Sequence, residues 1–208
     1  MTYKVHNLFP TPVYHTSVAG VDPIIERFLI NSDFSNFDEN SPTHLETPKR
    51  KILDQPQLAG LRKQLQEKVN EYVHEVLGVN HDLEWHITTS WLNKAKTGGY
   101  HTLHWHSNSI ISGVYYLKVN QDTGAICFHK DRAHNNLWRD TFCFDFDKTT
   151  EYNTDSAITP KKNDLLLFPS ILSHSVMKNQ STEDRYSLAF NVFPRGTLGE
   201  GGNSEIIL

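Results

Sequence analysis

The sequence has little cysteine, no excess of positive charge and no long apolar run, and each shortage removes a class of protein. Its two cysteines, Cys127 and Cys143, are too few for a disulfide framework and lack the paired spacing of a zinc ribbon. Lys and Arg number 20 against 24 Asp and Glu, a formal net charge of −4. A protein built mainly to bind nucleic acid needs clustered positive charge to neutralise phosphates, so that role is not expected. No apolar run approaches the roughly 18 residues that a membrane span requires. The opening MTYKVHNLFPTPVY lacks the basic-then-apolar layout of a signal peptide, so a cytoplasmic location is expected. Internal repeats and low-complexity tracts are absent too. What the 208 residues hold in quantity is histidine: 12 in all, three of them inside HTLHWH at 101–106. Histidine is the commonest side-chain metal ligand and the usual proton carrier near neutral pH, which puts metal chemistry first among the possibilities.

The length suits a single domain over 1–208, with an N-terminal strand and supporting helices in 1–83, a β core in 84–195 and a tail in 196–208. Residues 1–21 read as a short strand that Pro10 and Pro12 confine to an edge. A short helix is expected after Asp22-Pro23, with Ile24, Ile25, Phe28 and Leu29 on one face. Residues 31–50, rich in Asn, Ser, Asp and Pro, read as an irregular loop. The clearest helix lies between Pro56 and Gly78, where Leu58, Leu61, Leu65, Val69, Val73, Val76 and Leu77 recur at three- and four-residue spacing. Beyond Gly78 the pattern turns to short β-type runs at 84–93, 110–119, 124–128, 141–146, 164–168, 173–177 and 186–193. That many short strands with turn signals between them point to a mainly β sandwich or barrel with helices packed outside. The polar segments 129–140 and 147–159 read as loops at its mouth.

Three segments carry chemistry. In HTLHWHSNS, strand alternation puts His104 and His106 on one face, close enough to chelate one ion, with Trp105 opposite and His101 out of parity unless the chain bends. In DLLLFPSILSHSV, His174 shares a face with Leu172 and Val176, so it is either a ligand or a core histidine. In RYSLAFNVF, Tyr186, Leu188, Phe190 and Val192 form an apolar face. Arg185, Ser187, Ala189 and Asn191 form the other, where a guanidinium and a hydroxyl side by side suit a carboxylate.

In order, His-x-His, a His 68 residues on and an Arg 11 residues after that resemble the 2-oxoglutarate/Fe(II)-dependent dioxygenases, especially the prolyl-4-hydroxylase-like branch. The strand SGVYYL resembles that branch's Tyr-Tyr-Leu strand, and Pro160 to Arg185 its P-x-x-G-D-L-L-L-F-P…H…R-x-S stretch, with Asn163 where Gly is usual. LFPTPV, SWLN and HWHSNSIISGVYYL look closer still to an uncharacterised subgroup of marine phages and bacteria. The resemblance implies a double-stranded β-helix of jelly-roll or cupin-like form, with supporting α-helices. It also implies an oxygenase that couples 2-oxoglutarate decarboxylation to hydroxylation, using Fe(II), 2-oxoglutarate and dioxygen. Residue by residue, it assigns His104, His106 and His174 to the metal, and Arg185, Ser187, Tyr116 and Asn93 to the cosubstrate. The chain departs from the family at His106, where aspartate is usual; Asp131, further downstream, is the carboxylate alternative for the third ligand. The substrate, a small molecule or a peptide side chain such as prolyl, is not legible. Two other readings remain at this stage. A zinc enzyme would use the three histidines but leave Arg185 and Ser187 idle, and a metal-binding β-barrel module would have no turnover.

Overall fold

The computed structural model describes residues 4–7, 10–36, 41–80, 82–129, 147, 150, 156–199, 202 and 205–208. The chain runs through β1 (Tyr14–Ser17), α1 (Pro23–Ile30), β2 (His44–Glu46), α2 (Ala59–Glu71), β3 (Glu84–Ala95) and β4 (His101–His104). It continues through β5 (Ile111–Lys118), β6 (Ile126–Phe128), β7 (Ser156–Ile158), β8 (Asp164–Pro169), β9 (His174–Val176) and β10 (Arg185–Arg195). In the tail, β11 (Thr197–Leu198) pairs with β12 (Ile206–Ile207). A six-stranded antiparallel sheet, ordered β1-β8-β5-β10-β3-β2, and a four-stranded one, ordered β4-β9-β6-β7, make the double-stranded β-helix. The mainly β expectation holds, and β1 takes the sheet edge, although it spans only Tyr14–Ser17 of the 1–21 run and begins after Pro10 and Pro12.

Two apolar layers account for the strand sequences. The large sheet's outer face packs on α2, whose stripe of Leu61, Leu65 and Val69 is extended by Leu58 before it and Tyr72 and Val73 after it. All six are at most 3% exposed. At roughly 1.5–3 kcal/mol for each fully buried large apolar side chain, this stripe is a principal anchor of the helix. It ends at Val73 because the helix closes in a π turn, Tyr72–Val76, before Gly78 takes φ +68°. Val76 and Leu77, expected on the same face, are rotated out and exposed. The second layer lies between the sheets, with Tyr116, Ile126, Phe128, Leu166 and Phe168 at its centre. β8 reads as an unbroken apolar run because both its faces are covered: Leu165 and Leu167 meet the helix side, Leu166 and Phe168 the inner layer. Tyr186, Leu188, Phe190 and Val192 of β10 all join the helix-side core, as their alternation requires. Gly113 on β5 lies opposite Phe190, and any Cβ there would run into the Phe190 ring.

Several expectations need correction. Residues 31–50 are not all irregular, since β2 lies within them and pairs with β3, His44 opposite Ala95 and Glu46 opposite Asn93. A three-residue strand is too short to print a period in the sequence. In α1 only Leu29 is fully buried; Ile24 is 71% exposed, so the apolar face is narrower than its four-residue reading. The run 141–146, most of 129–140 and most of 147–159 lie outside the described residues, although the end of the last is β7, paired with β6. Asn163 adopts φ +71°. That left-handed conformation explains why glycine is usual at the position and why asparagine, which tolerates it, can stand in.

Candidate metal and cosubstrate site

The four-stranded sheet supplies the histidines. His104 on β4 and His174 on β9 are direct register partners across an antiparallel pair, and their ring centroids lie 4.2 Å apart. His106 follows the end of β4, with its ring 5.2 Å from each of the other two. The backbone N–H of His106 donates to the Ser170 carbonyl at 2.9 Å. Ser170 is itself held in a buried hydroxyl chain with Ser109 and Ser112, so the turn after β8 fixes where His106 sits. Candidate ligand nitrogens of the three lie within 4.8 Å of one another. With metal–nitrogen bonds of about 2.1 Å, two imidazoles sharing an ion have ring centres about 4.5–5 Å apart, close to the spacings seen.

Protonation also fits. The Nδ1 atoms of His104 and His174 sit 2.8 Å from the Thr102 carbonyl and 2.9 Å from the Leu172 carbonyl. A carbonyl only accepts, so each Nδ1 carries the proton and each Nε2 presents its lone pair. Burial, reinforced by the neighbouring His104, pushes His174 down to about 3 and His106 down to about 4. Burial also lowers His104, against the pull of its hydrogen bond to Thr102. All three are therefore neutral at pH 7, as a metal requires of imidazole ligands.

The six-stranded sheet supplies the polar groups opposite. Ser187 on β10 is flanked in register by Asn93 on β3 and Tyr116 on β5, and Arg185 lies two residues away on the same face. All four line one cleft with His104, His106 and His174. Arg185 is 3% exposed and its Nε has no hydrogen-bond partner. Among the described residues it has no carboxylate partner either. Burial lowers its pKa, opposed by the Tyr116 phenol beside it. Burial raises the pKa of Tyr116 well above the ordinary phenol value, so its hydroxyl keeps its proton. A buried guanidinium without an anion costs stability, and the cleft in front of it is where an anion would fit.

The structure also gathers residues that the sequence reading left out. His44 and Glu46 on β2 face the same side as Arg185 and Ser187, and His44 lines the cleft. His101 joins them because the β4–β9 pairing shifts register between His101 and His104, which brings their rings to 4.0 Å. The bend that strand parity alone could not supply is present. A His-x-Glu pair in 44–46 was the available signal. Asp131, Arg132 and Trp138 lie outside the described residues. Trp105 is 60% exposed, and His129 sits beside Ser175 at 2.8 Å.

A family model described as "Putative 2OG-Fe(II) oxygenase" matches residues 89–191, from within β3 to within β10. No curated protein sequence matches the chain significantly. HygX from Streptomyces hygroscopicus, solved with nickel, 2-oxoglutarate and hygromycin B, is similar at 16% identity and TM-score 0.55, over 88% of this chain and 82% of its own. A Pseudomonas putida prolyl-4-hydroxylase is similar at 12% identity and TM-score 0.53, over 88% of this chain and 94% of its own. The epimerase SnoN of nogalamycin biosynthesis, solved with Fe3+ and alpha ketoglutarate, is similar at 12% identity and TM-score 0.58, over 94% of this chain and 89% of its own. At such identities these likenesses speak to the fold, whereas the family match spans the strands that carry the three histidines. Over residues 89–191 the chain carries a 2-oxoglutarate/Fe(II)-dependent oxygenase domain.

Proposed function

We propose that the protein hydroxylates an organic substrate, a small molecule or a peptide side chain, with 2-oxoglutarate and dioxygen consumed and succinate and carbon dioxide released. The supporting observation is the pairing, across one cleft, of three neutral imidazoles with a buried guanidinium that has no carboxylate partner among the described residues. His104, His106 and His174 would hold Fe(II), which supplies the dioxygen and redox chemistry that no side chain offers. The carboxylate usual among such ligands is replaced by His106, so the bound complex would be one charge more positive and the metal held less tightly.

Arg185 takes the distal carboxylate of 2-oxoglutarate in a charge-assisted pair, and burial makes that pair both stronger and more selective for an anion. Ser187 and the protonated Tyr116 add neutral donors from the flanking register positions. Asn93 stands on the opposite side of Ser187, where its amide reaches toward the keto acid end. The apolar inner layer of Phe128 and Phe168 packs on His174, with Phe168 edge-on at 4.9 Å, and keeps water from the back of the site. Substrate then enters from the open mouth of the cleft, beside the exposed Trp105.

Succinate formation from 2-oxoglutarate by metal-free protein reloaded with Fe(II) tests this reading. Turnover with Fe(II), none with Zn(II), and none in a folded His174→Ala variant is expected. Equal turnover in that variant would overturn the ligand assignment.

A further inference from the structure

We propose that His44, Glu46 and His101 form a second site for a first-row divalent transition metal, beside the one made by His104, His106 and His174. It does not depend on the iron reading of the first site. The candidate ligand atoms of the three residues lie within 4.8 Å of one another. They come from two strands of different sheets, β2 and β4, so the grouping is a product of the fold and not of local sequence. The His44 and His101 rings have centroids 4.6 Å apart, the spacing of two imidazoles on one ion at bonds of about 2.1 Å.

A second observation points to a ligand. His44 is 3% exposed, and neither of its ring nitrogens has a hydrogen-bond partner. Glu46 Oε1 lies 3.7 Å from Nε2, beyond hydrogen-bond reach. A buried imidazole with both nitrogens unpaired has given up its water partners without replacement and needs an explanation. A metal ion between His44, Glu46 and His101 supplies one, because it pairs the His44 lone pair that the protein leaves idle.

The charges suit a cation. Glu46 brings a carboxylate to the group, placed between His44 and Arg50. Arg50 occupies Oε2 at 2.7 Å and orients the carboxylate, leaving Oε1 turned to His44. Two imidazoles and one carboxylate form a borderline donor set of the kind Zn(II) and Fe(II) take, with coordination positions left open.

Metal stoichiometry tests the proposal without any assay of turnover. Metal-free full-length chain is dialysed against micromolar Zn(II) and its metal content measured, with Co(II) absorption as an independent readout of ligand number. Wild type is expected to hold two ions per chain. Glu46→Gln, which keeps size and shape, and His44→Gln are each expected to hold one, and His174→Ala is expected to lose the other. Circular dichroism melts establish that each variant is folded, and Glu46→Gln carries the test if His44→Gln is not. One ion in wild type that Glu46→Gln leaves in place would overturn the second site, as would two ions retained in both β2 variants. An ion lost in Glu46→Gln together with no effect of His174→Ala would overturn the reading of the first site and support this one.

Discussion

Replacing Arg185 by methionine should move cosubstrate binding and stability in opposite directions. The guanidinium is 3% exposed, its Nε is unpartnered, and no carboxylate among the described residues balances its charge. Removing one partner of a buried, hydrogen-bonded charge pair costs about 2–5 kcal/mol of binding. For 2-oxoglutarate that is roughly a 30-fold to several-thousand-fold rise in Kd. In the ligand-free protein the same substitution removes a buried charge that no described residue compensates. Exchanging buried charge for a well-packed apolar side chain of similar volume commonly gains about 1–4 kcal/mol. At about 2–4 °C per kcal/mol for a chain of this size, Tm should rise by several degrees. Calorimetric titration of 2-oxoglutarate into the metal-loaded protein and thermal melts of the ligand-free protein read the two effects separately. Unchanged affinity together with a lowered Tm would refute the assignment and make Arg185 a packing residue.

Other expectations follow from single contacts. Gly113→Ala drives a methyl into the buried Phe190 ring and should destabilise the protein by about 1–3 kcal/mol, read as a lower urea midpoint with an unchanged slope. Tyr116→Phe removes a neutral donor beside Arg185 and should raise the KM for 2-oxoglutarate about 5–10-fold, from a hydrogen bond worth roughly 1 kcal/mol or slightly more; an unchanged KM would mean that the hydroxyl does not reach the cosubstrate. Burial works against ionisation of Asp164, but the Lys161 backbone N–H, His15 and Ser17 overcome it and hold its carboxyl below the ordinary 3.8. The unfolded chain therefore binds more protons as the pH falls through that value, so stability is present above it and is lost below it. Acid titration of Asp164→Asn should show a shallower loss in that window than wild type, and identical profiles would exclude the contribution.

The legible parts of the sequence were those where a period repeats. The α2 stripe and the alternation of RYSLAFNVF point to an outer core and an inner polar face, and both are found. Alternation also brought His104 and His106 to one face. The second group was invisible for physical reasons. His44 and Glu46 sit on a three-residue strand inside a polar stretch, where neither length nor hydrophobic pattern signals a sheet. His101 has the wrong parity for the cleft, and only the register shift between it and His104 turns it inward. The idle nitrogens of His44 and Arg185 belong to tertiary packing and cannot be read from spacing. Asn163 is the reverse case, a departure from the family's glycine that backbone φ explains at once.

The most direct test of the central claim is an anaerobic titration of metal-free protein with Fe(II) and then 2-oxoglutarate, followed in the visible for the charge-transfer band of the chelate. The band should appear only when both are present, be absent from folded His174→Ala, and persist in Glu46→Gln. Folded wild-type protein that binds Fe(II) yet gives no band on adding 2-oxoglutarate would contradict it.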